Sequence, residues 1–94
     1  MSTPTNHQTI EAFLEMLLAE RGAAKNSIDG YRRDLDGLAE FLKKTALVNA
    51  DANQLEDYLA DLSKRGYAPR SVARKLSALR QFYRFLYTDD YRQD

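Results

Sequence analysis

The chain contains no cysteine, one histidine, two prolines and four glycines, and its 14 Lys+Arg are matched by 14 Asp+Glu. Each shortage closes off a class of chemistry. Without cysteine there are no disulfides, no thiolate nucleophile and no cysteine-ligated metal site. The single histidine, His7, lies in a polar N-terminal stretch, MSTPTNHQT, that has neither the basic start nor the apolar run of a signal peptide. No apolar run approaches the roughly 20 residues needed to span a bilayer, so the expectation is a cytoplasmic domain without a membrane partner. At 94 residues and 44% apolar content, the chain suits one domain with a modest core. Such a core leaves little room for an enclosed active site.

What is present is helical periodicity, with no strand-like alternation anywhere. Four helices are predicted, at about 9–21, 27–44, 52–64 and 69–87, after a loose tail at 1–8. In the first, Ile10, Phe13, Leu14, Leu17 and Leu18 recur at helical spacing, with Thr9 as N-cap and Gly22 as stop. The second has the stripe Ile28, Tyr31, Leu35, Leu38 and Leu42, with Asn26 as cap and Asp29 as its capping-box partner. Its interior glycines, Gly30 and Gly37, each cost about 1 kcal/mol against alanine. Both lie off the stripe; Gly37 reads as drift, while Gly30 stays open between drift and close approach of a partner. After a link at about Thr45 to Asn49, the third helix is capped by Asp51 with Gln54 and carries Leu55, Tyr58, Leu59 and Leu62. Gly66 ends it, and Pro69 opens the fourth at a position where a missing N–H costs nothing. Four helices on short loops make an all-α, single four-helix bundle.

The neutral total hides a segregation of charge. The last helix, PRSVARKLSALRQFYRFLY, holds Arg70, Arg74, Lys75, Arg80 and Arg84 and no acid, which leaves the rest of the chain at −5. On a helical wheel Val72, Leu76, Leu79, Tyr83 and Leu86 form the apolar stripe, flanked by Phe82. Arg70, Arg74, Ser77, Ala78 and Gln81 lie opposite. A basic, hydroxyl-bearing face with small residues at its middle can enter a DNA major groove, where Arg, Ser and Gln reach base edges or phosphates. A basic run is ordinarily a solvated face, yet a solvated helix mixes in acids at i,i+4 spacing, and none occurs here. Lys75 and Arg80 sit nearer the stripe, where they can snorkel or pair with carboxylates of other helices. Arg32 is placed for a structural pair. Tyr31, Tyr58 and Tyr83 lie on apolar stripes as core residues with a polar rim. No paired carboxylates, Gly-rich phosphate loop or metal-ligand spacing is found, so no catalytic residue and no cofactor is expected in this chain.

SIDGYRRDLDGLAEFL and PRSVARKLSALRQFYRFLY together resemble the N-terminal core-binding domain of tyrosine recombinases, most closely the Xer type (XerC/XerD), over about residues 9–94. The specific part is S-x-x-R-x-L-S-A-L-R-x-F-Y-x-F-L. The resemblance implies a SAM-like four-helix domain forming half of a C-shaped clamp on double-stranded DNA, with the second and fourth helices facing the major groove. It implies that catalysis resides in a separate C-terminal domain absent from this chain, so that neither Tyr87 nor Tyr91 is the nucleophile. It also implies a role in chromosome dimer resolution or DNA integration, beside a partner recombinase subunit, with the isolated domain monomeric. The DNA-facing residues implied by position are Lys25, Asn26, Ser27, Arg33, Arg70, Ser71, Arg74, Lys75 and Ser77; the wheel independently selects Arg70, Arg74 and Ser77. The competing readings are a helical protein-interaction module that docks an acidic partner through its basic last helix and, less well fitted, a helix-turn-helix repressor.

Overall fold

A computed structural model describes residues 3–93. Four helices form, α1 (Asn6–Arg21), α2 (Lys25–Leu42), α3 (Ala52–Lys64) and α4 (Pro69–Thr88), with a 3-10 turn at Leu47–Asn49 between α2 and α3. Among the described residues there is no strand, and the all-α four-helix bundle is the architecture observed.

Local chemistry explains most of the boundaries. Helix α1 starts three residues before the expected position, so residues 6–8, read as loose tail, are helical. Thr5 is its N-cap: the hydroxyl accepts from the Gln8 N–H at 3.0 Å and the Gln8 side chain accepts from the Thr5 N–H at 2.8 Å. Thr9, expected as the cap, is instead buried inside the helix, its hydroxyl donating to the Asn6 carbonyl at 3.2 Å. Gly22 ends α1 in the left-handed conformation (φ 59°), as its position predicts. Helix α2 also starts early. Its N-cap is Ala24, with no side-chain bond, and the expected Asn26–Asp29 capping box does not form; Asp29 faces Lys25 at 3.7 Å instead. The Asp51–Gln54 box on α3 forms as expected, with bonds of 2.8 and 3.0 Å. Pro69 stands in the first turn of α4 after the uncapped Ala68.

The core is centred on Phe13 of α1, which is fully buried. Its ring meets Phe82 and Phe85 of α4 at 5.4 and 5.6 Å and Tyr31 of α2 at 5.7 Å between centroids. Leu35 and Leu38 of α2, Leu62 of α3 and Leu86 of α4 belong to the same buried cluster. Two expectations from periodicity give way to packing. Leu18 is 52% exposed although it lies on the α1 stripe. The buried face of α4 is rotated toward Ala78 and Phe85, so Ala78, expected to face outward, is buried, and Leu76 is only half-buried. The link, too, is part of the core. Leu47, Val48 and Ala50 are buried there, the Leu47 N–H donates to Asn6 Oδ1 at 2.8 Å, and Tyr83 donates its hydroxyl to the Leu47 carbonyl at 2.7 Å. Gly37 is not drift: a Cβ there would stand 3.0 Å from the Tyr58 hydroxyl, whose ring is buried between α2 and α3. At Gly30 a Cβ would meet nothing within 4 Å.

Phe13→Ala is expected to cost about 3–5 kcal/mol in urea-induced unfolding, whereas Leu18→Ala should stay within about 0.5 kcal/mol. Similar losses from the two substitutions would mean that Leu18 is packed after all.

Candidate nucleic-acid interface

Rotation of α4 into the core leaves a polar arc outside. Arg70, Arg74, Ser77 and Arg84 are all exposed and recur at i, i+4, i+7 and i+14, so they share one face. Arg80 is exposed beside that face rather than tucked along the apolar stripe. Among the described residues no carboxylate lies within 4.0 Å of any of these four arginines. An α-helix with four unpaired arginines and no acid carries a strong positive potential along that face.

Across from it stands the N-terminal half of α2. A groove of about 340 Å³ runs between the two helices, with Asn26, Ser27 and Gly30 on one side and Arg74, Ser77 and Gln81 on the other. Ala78 and Gly30 keep its floor low. Gln81 is held in place: its Nε2 donates to the Tyr31 hydroxyl at 3.0 Å and its Oε1 accepts from Arg21 at 2.9 Å.

Four of the residues selected from sequence (Asn26, Ser27, Arg74 and Ser77) thus line one groove, and Arg70 lies one turn before Arg74 on the same face. The others are dispersed. Lys25 is exposed at the start of α2 and faces Asp29; Ser71 is half-buried. Arg33 faces a different groove, between α2 and α3. Lys75 is tucked inward, its Nζ 2.8 Å from Asp34 Oδ1, with side-chain exposures of 12% and 10%. The alternative role considered for Lys75, pairing with a carboxylate of another helix, is therefore the one observed. Removing one member of so buried a pair costs about 3–5 kcal/mol. Gly30, Tyr31 and Asp34 are groove residues that sequence reasoning did not select. For Asp34 the available signal was a lone acid at an inward position of α2, opposite a helix with no acid of its own.

The wider groove between α2 and α3, about 720 Å³, is of mixed sign. Asp36 and Glu40 line it without a cation within 4.0 Å among the described residues, which disfavours a polyanion there. Arg32 is engaged as anticipated, donating both terminal nitrogens to the Glu11 carboxylate. That hydrogen bond is the main reason the Glu11 carboxyl titrates below its ordinary value. Two of the tyrosines, Tyr58 and Tyr83, are set in surroundings that disfavour a phenolate. Burial pushes the Tyr58 and Tyr83 phenols upward, away from the ionised form. Among the described residues no helix is long and apolar enough to cross a membrane, and no three His, Cys, Asp or Glu are gathered to hold a metal.

Residues 10–90 match a family profile, "Phage integrase, N-terminal SAM-like domain". The chain belongs to this family. Among curated relatives of this SAM-like domain, the tyrosine recombinase XerD of Brucella abortus biovar 1 (strain 9-941) is 52% identical over 87 residues. That of Rhizobium meliloti (strain 1021) is 51% identical over 87 residues, and that of Caulobacter vibrioides 44% over 86. These alignments cover 90%, 90% and 89% of the chain but only 28% of each relative. The SAM-like domain thus spans a little over a quarter of the proteins it resembles. No solved structure matches the chain significantly.

Glu11 contributes stability that is present above its unfolded value near 4.5 and is lost as pH falls through the lower folded value. Glu11→Gln should therefore lie below wild type in urea midpoint at neutral pH, and the gap should close under acid conditions below pH 4.5. A gap that persists unchanged at pH 3 would remove the charged pair as its cause.

Proposed function

We propose that this chain is the DNA-binding domain of a site-specific tyrosine recombinase, gripping duplex DNA as half of a clamp. In this reading α2 and α4 contact the major groove. The observation that carries the proposal is the α2–α4 groove bordered by an arginine face without acids. The affinity to the SAM-like family and the XerD relatives supports the same assignment. A helix of 20 residues is about 30 Å long, and a major groove about 12 Å wide admits it when its outward residues leave space for close approach. Ser77 and the low floor at Gly30 and Ala78 provide that space. Arg70 and Arg74 reach guanine edges or phosphates, and Asn26, Ser27 and Gln81 supply neutral hydrogen-bonding groups for base edges or sugar-phosphate oxygens.

The capping pattern supports this assignment. Helices α1 and α3 close their N-termini with full capping boxes. Helices α2 and α4 begin at Ala24 and Ala68, which offer no side-chain acceptor. The first-turn N–H groups of α2, and those of α4 that follow Pro69, have no side-chain cap, and a helix N-terminus with free N–H groups favours a phosphate. Lys25 and Arg70 stand in those same turns. In this reading the cutting and rejoining chemistry belongs to a further domain of the parent recombinase and this chain supplies grip and orientation. Double-stranded DNA and a partner recombinase subunit are its partners.

Binding of a short duplex should be weak in isolation, roughly 10⁻⁴ to 10⁻⁶ M, and should fall with salt at about 0.9 logarithmic units per phosphate neutralised. Arg74→Glu should lower affinity by about tenfold or more, consistent with loss of one base or phosphate contact. Lys64→Glu, exposed at the far end of α3, should have a small effect. Arg92 is unsuited as the reference cation, because it donates to the Ala50 carbonyl at 2.6 Å and covers the Tyr83 ring at 5.1 Å. Gly30→Ala should raise stability by about 1 kcal/mol while weakening DNA binding severalfold, since its methyl group enters the groove floor. Equal effects of Arg74→Glu and Lys64→Glu in fluorescence anisotropy, or unimpaired binding by Gly30→Ala, would count against this face.

A further inference from the structure

We infer that Lys75 is a positioning residue: through Asp34 it holds α2 and α4 at the separation that gives the DNA-facing groove its width, and it does not itself contact phosphate. The inference rests on the DNA-binding reading of that groove and goes beyond it. Lys75 belongs by sequence to the most basic helix of the chain, yet its ammonium group is turned away from the arginine arc. It lies 2.8 Å from Asp34 Oδ1 and 5.5 Å from the centre of the Tyr67 ring, with only 12% of the side chain exposed. The ammonium is already engaged by a carboxylate that is itself 10% exposed, and it borders the α2–α3 groove rather than the α2–α4 groove.

The location of the pair makes it consequential. Asp34 lines the α2–α4 groove, whereas Lys75 lines the α2–α3 groove on the other side of the wall. The pair therefore stands in the partition between the two. Asp34 lies one helical turn after Gly30, and Lys75 adjoins Arg74, so a shift in either side chain passes directly to both rims. A second tie crosses between the same helices, from Gln81 to the Tyr31 hydroxyl at 3.0 Å. Residue numbers rise along α2 from 31 to 34 while they fall along α4 from 81 to 75. The helices thus run in opposing senses and are pinned at two levels. An ion pair has a short optimum distance and a definite partner, so it fixes a separation more sharply than an apolar contact, which tolerates sliding. With Lys75 neutralised in this way, the outward face of α4 is left to arginines alone.

The two roles give opposite results in three variants, Asp34→Asn, Lys75→Met and the double variant, each compared with wild type in salt-dependent binding to a short duplex. If Lys75 positions the helices, both single variants should lose about fivefold to tenfold in affinity with an unchanged salt slope. The double variant should then be no weaker than the weaker single one. If Lys75 contacts phosphate, Lys75→Met should reduce the slope by about 0.9, and Asp34→Asn, by releasing the lysine, should tighten binding; that result overturns the inference. Should a single variant fail to fold, the double variant, which leaves no unpaired charge, carries the slope comparison. Amide shifts of the DNA-free variants supply a separate readout. Displaced signals at Asn26, Ser27 and Ser77 support a set groove width, and changes confined to the neighbours of residues 34 and 75 overturn it. Absence of duplex binding by wild type would defeat the DNA reading itself, whereas these shifts are read without DNA.

Discussion

The contact of Phe13 with Phe82 and Phe85 is the constraint on which the rest of the molecule depends. It fixes the rotation of α4 about its own axis, and a helix that buries one arc must expose the opposite one. With the phenylalanines inward, Arg70, Arg74, Ser77 and Arg84 have no course but outward. Tyr31, on the edge of the same ring cluster, carries that order across to α2 and through its hydroxyl to Gln81. The placement of the charged surface is thus a consequence of core packing.

A domain with zero formal net charge can still present a polyanion with a favourable field, because the sign at the contacting face decides the interaction. Here the acids are concentrated on α1, α2 and α3, several of them paired with cations: Glu11 with Arg32, Asp61 with Arg65 and Asp34 with Lys75. Only the last of these pairs is buried. The exposed pairs contribute little to stability. The buried one joins the two helices that border the groove, a position in which definite geometry matters more than energy.

Much of this was legible in the chain itself. The apolar period locates four helices, and the absence of acid from the last one marks it as the candidate DNA-facing helix. The errors have identifiable physical causes. Thr5 and Thr9 both stand where a cap is possible, and only Gln8, three residues beyond Thr5, distinguishes them. Asn26 has the chemistry of a cap, but helix α2 starts two residues earlier than expected, with Ala24 as its N-cap. A wheel treats every apolar residue alike, so it places Leu18 inside and Ala78 outside; the burial of Phe85 turns α4 so that Ala78 faces the core. The groove residues on α2 were half visible. Asn26 and Ser27 came from the resemblance, whereas Gly30 and Asp34 acquire meaning only when α4 is laid against them. Lys75 and Asp34 are each visible in the sequence as charges near an apolar stripe, but that they meet each other, 41 residues apart, is a tertiary fact.

The most direct test of the account is a heteronuclear NMR titration of the domain with a short DNA duplex at low and moderate salt. Shifts concentrated at Asn26 to Gly30 and at Arg70 to Gln81, and fading as salt rises, are the result expected of a groove formed by α2 and α4. Shifts spread over α1 and α3, or none at low salt, would contradict the claim that this surface meets DNA.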